Sequence, residues 1–474
     1  MMMDVFDKKF IFNWEPYTDQ FSKTGVVLIS NKLFRFINTN DTGYRIMRML
    51  DGNSTVADIT VRLSDDYGLP FDIIQEYVVR FIEKLLDQSL ICTQSSEYID
   101  NEITDNTEHK IERIYIDITG SCNLDCCYCF KPNNRNSEIN TFELSNILRD
   151  LSDEMSSSVS IFLTGGEPLL HSELSTILSM LKSIDRAKVM MFSNGVLLSK
   201  EKVTEIQQYV DTIFLSIAHS EKAKNDKIMG NGHYDNFLRA VSLCRDAGIT
   251  VYLSTVPTDD NLHDMISLQF LAHKLKVKGI YIQSPIPVRT DGRDITSHFS
   301  YNDDEYNKVA SELRKENEVL NSWRNNLSKN EKFHLTFEDE NCLNLKNLRK
   351  KLHCGIGINE ISIDINGNIY PCHKLCSDNF LIGSVKQYKK NKLTYYDNNL
   401  TNDLCKDCVC WIFCVGGCKA ESYYKDNKLN AISRDCSYRR DLCMDLLGLA
   451  DTARNEETIN ERIDLCEFSS RESL

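Results

Sequence analysis

The stretch Thr119-Gly-Ser-Cys-Asn-Leu-Asp-Cys-Cys-Tyr-Cys-Phe130 decides the fold of this chain. It directly follows a strand-like run from Arg113 to Ile118 and places Cys122, Cys126 and Cys129 on one short loop. Thiolates are the soft ligands that hold iron-sulfur clusters, and a cubane cluster takes four ligands. A loop that offers only three thiolates leaves one iron open to another molecule. The loop therefore predicts a reactive metal centre and not a simple electron carrier.

Two other readings of this loop are a zinc knot and a group of buried thiols. Structural zinc sites close four ligands around one ion and usually show paired C-x2-C spacings. The spacing here is C-x3-C-x2-C, which favours the cluster. Cys127 lies within the loop but outside that spacing, so we expect it to be a packed bystander.

With Tyr128 before the last cysteine, the spacing resembles the signature of radical S-adenosylmethionine (SAM) enzymes. The resemblance implies that the amino and carboxylate groups of SAM chelate the open iron. In that family the reduced cluster breaks a carbon-sulfur bond of SAM, and the released 5'-deoxyadenosyl radical takes a hydrogen from the substrate. The cofactor carries the difficult chemistry, while the protein positions and shields it.

Composition limits the classes of function. The 474 residues are 42% hydrophobic with no apolar run long enough for a bilayer, so we expect a protein of two to four domains outside the membrane. The start, Met1 to Lys9, lacks an apolar secretory core. Eighteen cysteines in a chain of this length indicate metal or redox use in a reducing compartment, so a cytoplasmic location is expected. A net charge of −14 argues against nucleic acid and favours a peptide or small molecule as partner.

Downstream of the loop, strand-like runs alternate with amphipathic helical stretches, as in βα units around a parallel sheet. The predicted strands are Ile114 to Ile118, Ser160 to Thr164, Val189 to Ser193, Thr212 to Ile217, Thr250 to Thr255 and Gly279 to Gln283. The predicted helices are Glu143 to Ser152, Leu174 to Lys182, Lys202 to Gln208, Tyr234 to Ala247 and Ile266 to Leu275. This α/β pattern predicts a partial (β/α)6 TIM-like barrel, the radical SAM core fold, with ligands at the C-terminal ends of its strands.

The second predicted strand is followed by Thr164-Gly-Gly-Glu-Pro-Leu169. Two glycines let the backbone approach a ligand closely, and a carboxylate can accept from an ammonium group. The stretch resembles the GGE motif of radical SAM enzymes, whose glutamate and backbone hold the methionine amine of SAM. By this resemblance, the residues expected to contact SAM here are Gly165, Gly166, Glu167 and Pro168.

Further SAM contacts are expected after the next two strands. Ser193 and Asn194 stand where members of the family contact the SAM ribose, and Ser216 stands where a ribose or carboxylate contact is common. Capping or turn formation is the other reading of these polar residues. Asn225 to Gly230 resembles a family segment that usually has a basic residue where Met229 stands, so no carboxylate-binding arginine is assigned there.

A second cysteine group lies near the C-terminus. Seven cysteines match the SPASM pattern of radical SAM peptide-modifying enzymes, which carries two auxiliary four-iron clusters: Cys354, Cys372, Cys405, Cys408, Cys414, Cys418 and Cys436. By position, Cys405, Cys408, Cys414 and Cys436 would hold the distal cluster, whereas Cys354, Cys372 and Cys418 would hold the proximal one. Cys342 or Cys376 could complete the proximal cluster, or its fourth site could stay open for a substrate thiolate. A zinc ribbon is the alternative for Cys405 and Cys408 alone. Three [4Fe-4S] clusters and SAM are therefore the expected cofactors.

The N-terminal residues 1–92 predict a winged-helix-like α+β unit. Its predicted elements are strands Val26 to Ile29 and Phe34 to Ile37 and helices Thr42 to Leu50, Val56 to Tyr67 and Phe71 to Leu86. The unit resembles the precursor-peptide recognition domain of enzymes that modify ribosomally made peptides. There the leader peptide adds a strand to the sheet edge and packs on the third helix. A purely structural cap is the alternative.

The expected organisation along the chain follows from these motifs. It is a recognition domain at 1–92, a polar linker at 93–110, the radical SAM core at 111–290, a bridging region at 291–353, the SPASM domain at 354–453 and a charged tail at 454–474.

Together the resemblances imply a radical SAM/SPASM maturase that oxidatively cross-links a ribosomal precursor peptide. Thioether formation between a cysteine sulfur and a carbon, as in sactipeptides and ranthipeptides, is the first expectation, and a flavodoxin or ferredoxin would supply electrons. Carbon-carbon cross-linking is one alternative. Sulfatase maturation is another, although those enzymes usually place an aspartate base directly after the second SPASM cysteine, where this chain has His373. His373 could still act as the base. A non-catalytic iron-sulfur electron carrier is the alternative from a different class.

Overall fold

The structure of this chain is a computed structural model. It describes residues 5–15, 17–22, 25–30, 35–93, 110–131, 137–289, 294–322, 333–337, 355–391, 405, 408, 410–414, 416–432 and 436–446. Residues 94–109 of the predicted linker at 93–110 and the whole predicted tail at 454–474 lie outside the described residues, as do Cys342 and Cys354.

The N-terminal elements are β1 (Lys9–Phe12), β2 (Thr18–Ser22), β3 (Gly25–Ser30), β4 (Arg35–Thr39), α1 (Asp41–Met49), β5 (Asp51–Thr55), α2 (Val56–Tyr67), α3 (Phe71–Asp87) and β6 (Ile91–Cys92). The central elements are β7 (Ile111–Thr119), α4 (Thr141–Asp150), β8 (Met155–Gly165), α5 (Leu174–Lys182), β9 (Lys188–Ser193), α6 (Lys200–Ile206), β10 (Thr212–Ser216), α7 (Lys222–Met229), α8 (His233–Asp246), β11 (Thr250–Thr255), α9 (Met265–Lys274) and β12 (Gly279–Ile282). The C-terminal elements are α10 (Asp303–Ser322), β13 (His334–Phe337), β14 (Glu360–Ile363), β15 (Ile369–Tyr370), α11 (Val385–Asn391), α12 (Trp411–Cys414), α13 (Lys419–Asp426) and α14 (Cys436–Leu446). None of the helices in the described ranges combines the length and the apolar character needed to cross a bilayer.

A nine-stranded sheet forms the centre of the molecule, in the order β13-β12-β11-β10-β9-β8-β7-β14-β15. The six predicted strands, β7 to β12, are parallel neighbours in chain order, which confirms the α/β partial barrel. Side chains alternate across each strand. Ile114 and Ile116 pack under the helices, whereas Tyr115 faces the interior with Phe162 and Phe214.

Three strands of this sheet were not predicted. β13 pairs in parallel with β12, and β14 pairs in parallel with the other edge strand, β7. β15 returns antiparallel to β14. β13 and β15 are only four and two residues long, too short for a periodic signal. Because β14 and β15 come from the region expected to be the SPASM domain, that region shares a sheet with the barrel.

The N-terminal part has two small sheets, in the orders β2-β3-β4 and β5-β1-β6, packed with α1, α2 and α3. The sequence predicts only the strand pair β3 and β4, so it misses β2 and all three strands of the other sheet, β1, β5 and β6. The sequence of β2, Thr-Asp-Gln-Phe-Ser, holds one apolar residue and so gives no alternating pattern. The three helices agree with the prediction. Thr55 caps α2 in a reciprocal capping box with Asp58, and Gly68 ends it in the left-handed conformation.

Strand β3 is buried on both faces. Val26 and Leu28 belong to the apolar core shared with the N-terminal helices. Val27 and Ile29, which point the other way, pack in one cluster with Cys410, Trp411 and Cys443 of the C-terminal region. This double burial explains why the strand is a continuous apolar run and not an alternating one. The N-terminal sheet therefore packs directly against the segment that carries the C-terminal cysteines.

We expect Val27→Asp to destabilise the N-terminal sheet by about 3 kcal/mol, because Val27 is fully buried and the new carboxylate would have no partner in this apolar cluster. Val61→Asp on α2 is the matched control, because Val61 is 49% exposed. Hydrogen exchange of the β3 amides measures the local opening free energy. Equal protection in the two variants would contradict the interface.

Candidate active site

The predicted barrel residues meet in one cavity of ≈ 180 Å³ at the C-terminal ends of the strands. Its wall includes nearly all of the residues expected to bind the barrel cluster or SAM: Cys122, Cys126, Cys129, Tyr128, Gly165, Gly166, Glu167, Ser193, Asn194 and Ser216. Pro168 is outside this lining set and begins a short 3₁₀ turn, Pro168–Leu170. His373 and Lys374 line the same cavity, so it is bounded by residues of the barrel and by residues that follow β15.

The three loop thiols are held in a partly desolvated environment. Burial raises the pKa of Cys122, Cys126 and Cys129, and the proximity of the other thiols raises the pKa of Cys126 further. Three thiolates in one buried place repel each other, so the arrangement is costly without a cation. A bound metal group would supply that positive charge. The donor set therefore fits a metal centre.

The distances between the thiol sulfurs bear on whether the site suits a single metal ion or a larger metal cluster. Tetrahedral zinc with Zn–S distances of about 2.3 Å would bring thiolate sulfurs to within about 4 Å of one another. Among the residues that the structure describes, Glu360, Cys372 and His373 form the group of three whose ligand atoms all lie within 4.8 Å. Cys122, Cys126 and Cys129 do not form such a group, and a cluster of several irons would not require its ligands to meet so closely.

The two glycines of the GGE stretch allow close packing of one loop on another. A Cβ at Gly165 would lie 2.2 Å from the carbonyl oxygen of Thr119, and one at Gly166 would lie 2.1 Å from that of Ser121. Gly165 also has a φ of +117°, which favours glycine. The main-chain nitrogens of Gly166 and Glu167 donate to Thr119 and Ser121 at 2.7 and 2.8 Å. The glycines therefore bring Glu167 next to the cysteine loop.

Glu167 is a buried carboxylate with three hydrogen-bond donors around it. Ser193 Oγ and the main-chain nitrogen of Asn194 donate to it at 2.8 Å, and the main-chain nitrogen of Leu169 donates at 3.2 Å. Burial raises the pKa of Glu167 to about 7, although these hydrogen bonds lower it. A cationic group in the cavity would favour the charged form. This is the property expected of a carboxylate that receives an ammonium group.

The polar residues after β9 hold the site together. Asn194 donates from its side chain to Asn123 Oδ1 at 2.8 Å, within the cysteine loop. Ser193 Oγ also accepts from the main-chain nitrogen of Gly195 at 3.0 Å. Ser193 and Asn194 therefore form turn hydrogen bonds and also line the cavity. Ser216 ends β10 and lines the cavity beside them.

Met229 stands where the similar family segment usually has a basic residue. Its sulfur accepts from the hydroxyl of Tyr128 at 2.9 Å and lies 3.8 Å from Cys126 Sγ. Burial raises the pKa of Tyr128 well above its usual value, so the hydroxyl stays protonated as a donor. Cys127 is exposed, which corrects the expectation of a packed residue. It differs from Cys126 and Cys129, which line the cavity, because neighbours in an irregular loop need not share one face.

His373 is held on the floor of the cavity. Its ring stacks on Tyr115 with centroids 3.9 Å apart, and Nδ1 lies 3.3 Å from Glu360 Oε1. Arg113 Nε donates to Glu360 Oε2 at 2.7 Å. Burial would raise the pKa of Glu360, but Arg113 and His373 lower it to about 2. The ion pair with Arg113 balances the negative charge of Glu360. The group Glu360, Cys372 and His373 therefore does not need a metal ion.

The C-terminal cysteines fall into two groups. Cys405, Cys408 and Cys414 pack against the cluster of Val27 and Ile29, while Cys372 and Cys418 pack in another with Leu375 and Phe380. Cys436 is exposed at the start of α14. Cys410 and Cys443 are buried beside the first group. The spacing of the cysteines along the sequence does not reveal that Cys410 and Cys443 lie beside this group.

Several residues of the site were missed. Lys131 forms an ion pair with Asp117 at the cavity floor, and Asn123, Asn225 and His233 take part in hydrogen bonds that join the loops. Asn123 lies inside the cysteine motif and could have been suspected from its place. The others lack a motif, because their roles depend on contacts between separate βα units.

Comparison with known protein families identifies two domains. Residues 116–272 match the Radical SAM superfamily, and residues 25–91 match coenzyme PQQ synthesis protein D (PqqD). The chain thus carries a radical SAM domain, which implies a [4Fe-4S] cluster and SAM, and a PqqD-like domain.

Relatives by sequence include the mycofactocin maturase MftC of Mycolicibacterium smegmatis, 24% identical over 335 residues that cover 68% of this chain and 81% of that protein. The GTP 3',8-cyclase of Clostridium perfringens is 26% identical over 178 residues, which cover 36% of this chain. The chain spans 54% of the length of that cyclase.

Solved structures share the fold. The structure of anSMEcpe with bound AdoMet and a peptide superposes with a TM-score of 0.57 at 16% identity, covering 72% of this chain and 99% of that one. SuiB of Streptococcus suis bound to the precursor peptide SuiA superposes with a TM-score of 0.53 at 17% identity, covering 90% of this chain and 99% of that one.

Proposed function

We propose that this chain, with its radical SAM and PqqD-like domains, cross-links a ribosomally made precursor peptide by forming cysteine-sulfur-to-carbon thioether bonds. The observation that carries the proposal is the cavity itself, in which three buried thiols and Glu167 share a wall. Cys122, Cys126 and Cys129 would hold the cluster. When bound, the cluster and SAM supply the radical that removes a hydrogen from the substrate.

The residues of the cavity would bind SAM and exclude water. Glu167 would accept the ammonium group, and Ser193, Asn194 and Ser216 would contact the ribose or carboxylate. Their support is their common place on the cavity wall and the pKa of Glu167 near 7. His373 would be the base, because it lines the same cavity and Glu360 fixes its orientation.

The peptide would enter through the N-terminal domain. The matched PqqD-like region supports this mode, and the precursor peptide bound to SuiB supports a precursor peptide as the partner. A strand added to an exposed sheet edge gains main-chain hydrogen bonds, which give affinity with little demand on sequence. A reducing partner such as flavodoxin or ferredoxin would deliver electrons to the clusters in the cytoplasm.

The choice of a thioether depends on the proximal cluster. Cys376 could close it, yet its thiol is turned back on its own turn, 3.4 Å from the Cys372 carbonyl oxygen and 3.3 Å from that of His373. We therefore propose that the fourth site of the proximal cluster is left for the donor cysteine of the peptide.

We expect Cys376→Ser to retain about twelve irons per chain, the content of three cubane clusters. A serine hydroxyl can still donate to the carbonyl oxygens of Cys372 and His373, but it is a poor cluster ligand. The iron content therefore tests whether Cys376 is a ligand of the proximal cluster. Iron and acid-labile sulfide are measured after anaerobic reconstitution. A loss of about four irons would show that Cys376 closes the proximal cluster.

We expect SAM binding to strengthen as pH rises from 6 to 8. Since the pKa of Glu167 is near 7, its carboxyl must lose a proton at low pH before it can receive the ammonium group. The affinity should change by up to about tenfold per pH unit below the pKa and level off above it.

The raised pKa of Glu167 affects folding stability in the opposite direction from SAM affinity. The folded pKa lies above the ordinary value of 4.5, so burial of this carboxyl costs stability as pH rises from 4.5 to about 7. Titration of SAM Kd against pH is the measurement, and Glu167→Gln should remove the dependence. A flat profile in the parent protein would contradict this role of Glu167.

The proposed function is tested by co-expression with a short cysteine-rich peptide encoded beside this chain. A thioether predicts a mass loss of about two daltons per linkage together with the loss of an alkylatable thiol. The same mass loss with unchanged thiol reactivity would indicate carbon-carbon bonds and overturn the thioether. An unmodified peptide and no SAM cleavage would favour an electron carrier.

A further inference from the structure

One buried histidine joins two loops of the cavity. His233 is the first residue of α8 and is 1% exposed. Its Nε2 lies 3.1 Å from the carbonyl oxygen of Asn194, in the loop after β9. Its Nδ1 lies 3.0 Å from Asn225 Nδ2, on α7. No motif of the chain assigns a role to this residue.

The partners determine which ring nitrogen carries the proton. A carbonyl oxygen can only accept, so Nε2 is the donor to Asn194. Nδ1 then accepts from the side-chain amide of Asn225, because Asn225 Oδ1 is already accepting from the main-chain nitrogens of Ala218 and His219 at 3.0 and 3.4 Å. This assignment is made from the network and satisfies each group. It requires a neutral ring, in agreement with the burial that lowers the pKa of His233.

One partner of His233 is the cavity residue Asn194, and the other, Asn225, holds the main chain just after the cavity residue Ser216. Asn194 donates from its main chain to Glu167 at 2.8 Å and from its side chain to Asn123 at 2.8 Å, so His233 provides the third fixed contact. Asn225 fixes the main chain that directly follows β10, which ends at the cavity residue Ser216. The histidine thereby sets the separation between the loop after β9 and the loop after β10.

We propose that His233 is a positioning residue for SAM binding, which acts on the cofactor through Asn194 and the loop after Ser216. The proposal rests on the assigned SAM contacts at these loops and is independent of the chemistry done on the peptide. Loss of the ring would remove the donor to the buried Asn194 carbonyl and leave the Asn225 amide with only its 3.5 Å contact to Asp226 Oδ1, and the loops would shift to satisfy both groups.

Three substitutions separate positioning from simple packing. His233→Gln keeps a donor near the place of Nε2 for the Asn194 carbonyl. His233→Asn keeps an acceptor near the place of Nδ1 for Asn225 but loses the bond to Asn194. His233→Ala loses both. SAM Kd is measured by calorimetry on the reconstituted full chain without peptide, and the electron paramagnetic resonance spectrum of the reduced cluster is recorded with and without SAM.

We expect the Ala and Asn variants to bind SAM about tenfold more weakly than the parent, while the Gln variant stays within about threefold. The SAM-induced spectral change should follow the same order. His273→Ala is the control, because His273 packs on Phe333 and does not line the cavity. It should bind SAM as the parent does.

Two results would overturn the inference. One is equal affinity of the Ala variant and the parent, and the other is a Gln variant as weak as the Asn variant. If the Ala variant does not fold, the comparison of Gln with Asn decides. A parent chain that binds no SAM would instead refute the proposed function together with this inference.

Discussion

Cys126→Ala should abolish SAM cleavage and lower the iron content from about twelve to about eight per chain. Cys126 is one of three thiols on the cavity wall, and its loss leaves two ligands, too few to hold a cubane cluster there. The C-terminal cysteines are in separate apolar groups, so their clusters should remain. 5'-Deoxyadenosine release and iron content are the two measurements.

The neighbouring Cys127 offers a matched control. It is exposed and does not line the cavity, so Cys127→Ala should keep both the iron and the SAM cleavage. Equal loss of activity in the two variants would mean that the loop, and not the three-thiol set, is what matters. Full iron content in the Cys126 variant would show that the cluster is held elsewhere.

Phe36→Asp should weaken leader-peptide binding by about tenfold or more. The sheet β2-β3-β4 has two outer strands, and β4 is the one whose following residue, Asn40, contacts Tyr77 of α3 at 3.5 Å. A leader strand that both extends the sheet and packs on α3 would therefore add to β4. Phe36 is 38% exposed on that strand, and a charge there would be desolvated by the arriving peptide.

The opposite outer strand supplies the control for this prediction. Phe21 on β2 is 60% exposed and packs edge-on against Tyr44 of α1, at the other side of the sheet. Phe21→Asp should leave leader affinity within a few tenths of a logarithmic unit of the parent. Fluorescence anisotropy of a labelled leader on the full chain measures both. A larger effect at Phe21 would place the leader on β2.

The barrel could be predicted because its signals are local. The alternation of Ile114, Ile116 and Ile118 with inward residues marks β7, and each motif follows its own strand. The rule that ligands collect at the carboxyl ends of parallel strands then brought the cysteine loop and Glu167 together without any knowledge of distances. The apolar run Val26 to Ile29 likewise predicted the strand β3, but not that both of its faces would be buried.

The contacts made between distant segments could not be predicted. β14 pairs with β7 through Glu360 and Arg113, and only this pairing brings His373 onto Tyr115. The sequence contains no signal of that register, because the energy of strand pairing comes from side chains far apart in the chain. His233 was overlooked for the same reason, since its role exists only after α8 has packed beside the β9 loop.

The most direct test of the account is the fate of hydrogen from the peptide. The parent chain, reconstituted anaerobically, is incubated with SAM, a reductant and a perdeuterated precursor peptide, and the released 5'-deoxyadenosine is analysed by mass spectrometry. The account predicts deuterium in the 5'-deoxyadenosine, in proportion to cross-linked peptide. 5'-Deoxyadenosine without deuterium, formed at the same rate in the presence and absence of peptide, would contradict it.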